Sequence, residues 1–180
     1  MGSNKNILIG QGGGPTNVIN QSLVGIIKQE QLFKSKIFGA INGVNGIINE
    51  RFHSLSKLSS NDLNQIANTP GASLGSTRDK PDQKYLTEIY KILKRKNISK
   101  FYYIGGNDSS DSLKIISNFA KEKSYKLQCI HVPKTIDNDL VLNDHTPGFG
   151  SAAKYVAQLF SGISYDVRSL PGVYIGIVMG

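Results

Sequence analysis

Cysteine is nearly absent from this chain. Cys129 is the only one among 180 residues, so no internal disulfide can form, and its thiol reads as inert core within an apolar run. A reducing, cytoplasmic setting fits that usage. Long apolar runs are missing as well. None approaches the ~20 residues a membrane span needs, and the opening MGSNKNILIG lacks the layout of a signal peptide. Acidic side chains are in deficit, 13 against 21 basic ones, for a net charge of +8. Such an excess suits nucleic acid, but the basic residues are spread along the chain. Many, such as Lys91, Lys94 and Lys96, fall in helical segments with no tract of base-stacking aromatics between them. Neither a nucleic-acid nor a membrane partner is therefore expected. Anionic small substrates and a solvated lysine-rich surface account for the charge. No internal repeat or low-complexity segment is visible. What remains is an ordinary composition, 39% hydrophobic and 19% charged, long enough for one domain with a real core.

The chain is organised around Phe101–Phe119, FYYIGGNDSSDSLKIISNF. Phe101, Tyr102, Tyr103 and Ile104 read as a buried strand. Gly105 and Gly106 break it. From Ser109 onward Leu113, Ile116 and Ala120 recur at helical spacing, with Ile115 and Phe119 widening the stripe. A helix starting just past a diglycine turn offers unpaired N–H groups and the positive end of its dipole, a setting suited to phosphate. Asn107 and Asp108 complicate that reading, because an anionic Asp108 repels phosphate unless a metal or a lysine compensates. The plainer alternative is a strand–helix turn in which Asn107 and Asp108 cap the helix.

Similar units flank it. Asn6–Ile9 reads as a strand running into GQGGGPTN, Gly10 to Asn17, then a helix carrying Val18, Ile19, Leu23, Ile26 and Ile27. This loop matches neither the Walker pattern nor G-x-G-x-x-G, so a phosphate loop and a structural glycine turn both stand. Lys36–Ala40 reads as a strand followed by NGVNGI. Ser59, Ser60 and Asn61 would cap a short helix around Leu63–Ala67. Thr69–Asp82, TPGASLGSTRDKPD, has no periodicity and reads either as an interdomain linker or as a substrate loop presenting the Arg78 guanidinium to phosphate. From Asp82 a helix carries Tyr85, Ile89, Ile92 and Leu93. Leu127–Val132 is a strand ending in PKTIDND, Pro133 to Asp139, whose crowded aspartates would bind a metal, act as a base or form an Asx-rich turn. A helix from Ser151 follows, and Val173–Met179 reads as a last strand.

The alternation of strands and helices predicts an α/β fold, a mainly parallel sheet with helices on both faces. Ligands in such sheets sit beyond the carboxyl ends of the strands. The motifs at Gly10, Gly105 and Pro133 each follow a strand directly, so they are expected to converge on one sheet edge.

In order and spacing, GQGGGPTNVINQS, PGASLGSTRDKPD, IGGNDS, PKTIDND and PGFGSAA resemble the phosphofructokinase family, from about Asn6 to Gly180. PKTIDND is the most specific piece. The pair Asp108 and Lys134 is similar to that of the pyrophosphate-dependent branch, since members using ATP typically have glycine at both positions. The resemblance implies a Rossmann-like phosphofructokinase N-terminal domain over residues 1–180. It implies phosphoryl transfer from pyrophosphate to the 1-hydroxyl of fructose 6-phosphate, giving fructose 1,6-bisphosphate, a step of glycolysis, with Mg2+. Asp137 would be the base. Lys134 would neutralise Asp108 and hold pyrophosphate, and Arg78 would contact the transferring phosphate. Gly12, Gly13, Gly106, Asn107, Asp108 and Ser109 would bind the donor. Asn107 and Asp108 would hold the metal. Thr135, Asp139, Met179 and Gly180 would bind the sugar. A homo-oligomer is expected of the full-length protein.

Three departures accompany the resemblance. Asn107 stands where many members have a magnesium-binding aspartate. Ile177 replaces a common glutamate. The chain stops at Met179–Gly180, ahead of the family's next arginine, so it reads as an N-terminal portion lacking the second half. Alternatives are ATP as donor, a lipid or NAD kinase (disfavoured by PKTIDND), and an inactive phosphate-binding fragment or pseudoenzyme.

Overall fold

The computed structural model describes residues 6–178, in two compact units divided after Lys134. The first unit is built on a five-stranded sheet of order β3-β2-β1-β4-β5. Its strands are β1 (Asn6–Gln11), β2 (Ile37–Ala40), β3 (Phe52–Ser54), β4 (Ile98–Gly105) and β5 (Gln128–Pro133). β1 pairs in parallel with β2 and β4, and β4 pairs in parallel with β5. Only β3 runs antiparallel, against β2. The expected neighbours β1, β4 and β5 are thus adjacent and parallel.

Helices α1 (Asn17–Leu32) and α3 (Ser60–Asn68) cover one face, while α2 (Gly43–Ile48), α4 (Gln83–Arg95) and α5 (Asn107–Glu122) cover the other. Strand side chains alternate between faces, and the core follows that period. Leu8, Phe101 and Tyr103 join Val44, Ile47, Leu86, Ile89 and Leu113. Ile9 and Ile104 join Ile19, Leu23, Ile27 and Leu63. The sheet is buried on both sides, which is why its central strands read as nearly continuous apolar runs.

Local sequence explains most element ends. Ser59 caps α3 in a capping box: its Oγ accepts from Asp62 N at 3.2 Å, and Asp62 Oδ2 accepts from Ser59 N at 2.8 Å. Asp82 Oδ1 accepts from Tyr85 N at 2.8 Å at the start of α4. At α5 the structure corrects the reading. The helix begins at Asn107, two residues earlier than the apolar stripe suggests, with Gly106 at the N-cap and no side-chain cap. Asn107 and Asp108 do not cap it; they occupy its first turn, where a carboxylate complements the dipole.

The second unit contains the loop 135–148 and α6 (Phe149–Ser169). That helix starts at Phe149 rather than Ser151, because Gly148, with φ 93°, lets the chain turn directly into it. The strand expected over Val173–Met179 is not formed in its described part, 173–178. A strand needs a neighbouring backbone or a buried face, and this run has neither: Val173, Ile175 and Ile177 are 84–88% exposed. Gly176 instead lies against the Phe160 ring.

Candidate functional site

The carboxyl ends of β1, β4 and β5 are level, with Gln11 opposite Ile104 and Gly105 opposite Pro133. Their loops therefore leave from one edge. Gly12 N–H donates to Ile104 O at 2.9 Å, and Lys134 N–H donates to Gly105 O at 2.9 Å, extending the ladder into both loops. His131 Nε2 donates to the same Gly105 oxygen at 2.9 Å.

Glycine is required here by proximity. A Cβ on Gly12 would lie 2.6 Å from Ser109 Oγ and 2.7 Å from the Tyr103 hydroxyl, and one on Gly105 would strike the Ser109 side chain. The first turn of α5 is therefore seated directly on the β1 loop. Tyr103 forms a rigid floor, its hydroxyl pushed up to about 12 by burial. Gly13 takes φ 77°, and a Cβ there would sit 3.6 Å from Lys134 Nζ. Lys134 is buried, and its ammonium donates to Gly14 O at 2.5 Å. Lys134 thus lies across the glycine loop, with Gly106 beside its backbone.

The segment Thr69–Asp82 is no linker. Leu74 is buried, and Leu74 N–H donates to Gln11 Oε1 at 2.9 Å. Asn20 Oδ1 accepts from Ser73 N at 2.9 Å, and Asn20 Nδ2 donates to Thr69 O at 2.8 Å. Ser76 Oγ donates to Gly13 O at 2.5 Å, and Gly13 N–H donates to Thr77 O at 3.0 Å. Buried amides of β1 and α1 thus hold this loop against the glycine loop. Arg78 and Lys80 are exposed on it.

Asp108 is exposed and forms an ion pair with Lys80, Nζ to Oδ1 2.9 Å. The Lys80 pKa is raised by that hydrogen bond and by the charge of Asp108. The resemblance gave Lys134 the task of neutralising Asp108; in the structure the ion pair is made by Lys80, a cation the motifs left unassigned, while the Lys134 ammonium reaches Gly14 O. The signal was present in the spacing of Arg78 and Lys80, which puts two cations on one short loop. Tyr103, Ser76 and Thr77 were also missed as site residues. They form the floor and the loop contacts, for which sequence offers no local signal.

Of the expected site residues, Gly12, Gly13, Gly106, Asn107, Asp108, Ser109 and Lys134 are brought together at this edge, with Arg78 on the adjoining loop. In the second unit, Thr135 Oγ1 accepts from Asp137 N at 3.0 Å, and Asp137 and Asp139 are exposed. Asn138 stands between them at φ 54°. Its Oδ1 accepts from Thr146 N at 2.9 Å and its Nδ2 donates to Asp144 O at 3.2 Å, closing the loop. Met179 and Gly180 lie outside the described residues. Among the described residues no three His, Cys, Asp or Glu side chains cluster to hold a metal. The pair Asn107 and Asp108, one amide and one carboxylate, fits a hard cation that arrives with phosphate oxygens and keeps its waters. The Cys129 thiol is pushed up to about 11 by burial, consistent with a structural role.

A mainly parallel α/β sheet whose carboxyl edge gathers glycine loops, a helix N-terminus and cations is a setting suited to phosphate. The phosphofructokinase family profile matches residues 6–180, and the chain belongs to that family. Over 176 residues it is 55% identical to the pyrophosphate–fructose 6-phosphate 1-phosphotransferase of Rhodospirillum rubrum, covering 97% of this chain and 44% of that protein. It is 40% identical to the enzyme of that name from Xanthomonas campestris pv. campestris, over 93% of this chain and 41% of that one. The crystal structure of a pyrophosphate-dependent phosphofructokinase from Nitrosospira multiformis superposes with a TM-score of 0.85 at 36% identity, covering 93% of this chain and 43% of the other. The chain thus spans a little under half the length of these relatives.

Proposed function

We propose that this chain is the donor-binding part of a pyrophosphate-dependent phosphofructokinase, transferring phosphate from pyrophosphate to the 1-hydroxyl of fructose 6-phosphate. The observation that carries this reading is Lys134. ATP-using members typically have glycine there, and here a buried ammonium lies across the glycine loop, 2.5 Å from Gly14 O. It leaves little room for a nucleotide's α-phosphate and places a positive charge where a compact anion can use it. Asp108 adds an anion that would repel an α-phosphate, and the kinship to enzymes named for pyrophosphate supports the same donor.

In this reading the sugar's 1-oxygen attacks the terminal phosphorus of pyrophosphate. The bridging P–O bond breaks, orthophosphate leaves, and the hydroxyl proton passes to the Asp137 carboxylate. Arg78, Lys80 and Lys134 stabilise charge on the transferring and leaving groups, and Gly12, Gly13, Gly106 and Ser109 approach the donor through backbone or a hydroxyl. Thr135 and Asp139, with Met179 and Gly180, orient the sugar. Magnesium, when bound, would neutralise phosphate oxygens, with Asn107 and Asp108 as the residues to hold it. Cytoplasmic location, a place in glycolysis and a homo-oligomer belong to the same proposal. The test is an assay of fructose 1,6-bisphosphate formation by the complete gene product with pyrophosphate or ATP. Turnover with pyrophosphate supports the proposal, and turnover with ATP alone overturns it.

A further inference from the structure

Asp79 stands between the two exposed cations of the loop and faces elsewhere. Lys80 reaches Asp108 on α5 at 2.9 Å. The Asp79 carboxylate turns to α2 and α4 instead. Its Oδ2 accepts from Asn45 Nδ2 at 2.9 Å and from the Tyr85 hydroxyl at 3.1 Å. Its N–H donates to Thr77 Oγ1 at 3.1 Å. Asn45 is held in turn, its Oδ1 accepting from Arg51 Nη2 at 2.6 Å. Tyr85 sits in the first turn of α4, next to the Asp82 cap. Burial, then the Asp79 carboxylate, raises the Tyr85 pKa, so this hydroxyl stays a donor.

These contacts have a directional consequence. The loop is already pinned at Ser76 and Thr77 to Gly13. A second anchor at residue 79 leaves one residue, Arg78, between two fixed points, and sends residue 80 toward α5. Both side-chain donors to Asp79 are neutral, so hydrogen bonding, rather than charge pairing, sets its orientation.

We propose that Asp79, clasped by Asn45 and Tyr85, is a positioning residue that aims Arg78 and Lys80 at the phosphates of the donor. This deepens the proposed function and rests on it for the identity of the ligand. Removing the clasp keeps both cations but releases their direction, and misplacing a charged group by ~1 Å costs up to roughly a hundredfold in rate.

The test compares Asp79→Ala, Asp79→Asn and Tyr85→Phe in the complete gene product, measuring kcat and KM for pyrophosphate and fructose 6-phosphate together with thermal melting. Asp79→Ala should lower kcat/KM for pyrophosphate roughly tenfold to a hundredfold, largely through KM for pyrophosphate, with KM for fructose 6-phosphate nearly unchanged. Asp79→Asn keeps an acceptor oxygen and should restore most of the loss. Tyr85→Phe, which removes one oxygen, should fall between and carries the test if Asp79→Ala does not fold. Unchanged pyrophosphate kinetics in the folded variants would overturn the inference. So would a loss confined to melting and kcat, or an Asp79→Asn variant as impaired as Asp79→Ala. An unsubstituted protein that does not turn over pyrophosphate sinks the proposed function instead. Calorimetric titration of inorganic pyrophosphate into the same variants then decides: weaker binding to Asp79→Ala, restored in Asp79→Asn, supports the clasp, and equal affinities overturn it.

Discussion

Replacing Gly12 with alanine should destabilise the first unit, and the structure gives the size. The added Cβ would lie 2.6 Å from Ser109 Oγ, 2.7 Å from the Tyr103 hydroxyl and 2.9 Å from Tyr103 Cζ. Ordinary carbon contacts begin near ~3.5 Å, so the overlap approaches one ångström. Tyr103 is 1% exposed and packed against the tilted Phe101 ring, centroids 5.4 Å apart, so its ring cannot swing aside. The Gly12 N–H bond to Ile104 O pins the backbone from the other side. Overpacking of this kind costs about 1–3 kcal/mol. In a folding unit of this size each kcal/mol is worth about 2–4 °C, so Tm should fall by about 2–12 °C. Gly14→Ala is the control, because a Cβ there meets nothing within 4 Å. Ser109→Ala removes the nearest atom, so the Gly12→Ala, Ser109→Ala double variant should be less destabilised than the sum of its parts. Thermal melts by circular dichroism compare all four variants with the unsubstituted protein. If Gly12→Ala melts with Gly14→Ala, the close seat of α5 on the β1 loop is wrong.

Two further outcomes are expected. Glu30 is buried on α1 and accepts from Lys100 at 2.6 Å, Tyr102 at 2.6 Å and Ser35 at 3.2 Å. Burial alone would raise its pKa, but these donors hold it below the ordinary value of 4.5. A depressed native pKa contributes stability above the unfolded value, and that contribution is lost as pH falls through the native one. Glu30→Gln should therefore cost roughly 1.5–3 kcal/mol near neutrality, and its Tm gap to the unsubstituted protein should narrow below about pH 4.5; parallel melting curves across that range would refute the assignment. Asp137→Ala should lower kcat about 10²–10⁴-fold with a much smaller effect on substrate binding, read by steady-state kinetics, and an unchanged kcat in a folded variant would reduce Asp137 to a turn residue.

The fold was legible wherever side chains bury periodically. β1, β4, β5, α1, α4 and α5 each carry a stripe or an apolar run that only a core explains. The misses have other causes. α2 is six residues with two glycines, poor by propensity. It forms because Asn42 and Gly43 enter it with positive φ and because Gly46 rests on the backbone of Ile41, where a Cβ would collide. β3 has three residues, mostly exposed, too short to show alternation. Val173–Val178 carries strand-forming residues, but strand formation depends on a neighbouring backbone, which composition does not report. At the site, the glycine loop, the diglycine turn and Lys134 were visible because special backbone and charged residues follow apolar strands. The Thr69–Asp82 loop left linker and substrate loop undecided, since its order comes from Gln11, Asn20 and Asn45, residues distant in sequence that reach it only through the fold.

In the proposed function, Asp108 and Lys134 select pyrophosphate as the donor. The most direct measurement is kcat/KM for pyrophosphate and for ATP in the complete gene product, unsubstituted and as Asp108→Gly, Lys134→Gly and the double variant. The unsubstituted protein should prefer pyrophosphate. Asp108→Gly should relieve the block without removing that preference, Lys134→Gly should weaken pyrophosphate use without opening a route for ATP, because Asp108 and its Lys80 partner stay in place, and the double variant should lose pyrophosphate use and gain ATP use. The effects should be strongly non-additive, as for residues sharing one site. An unsubstituted protein that prefers ATP, or four variants whose effects simply add, would contradict it.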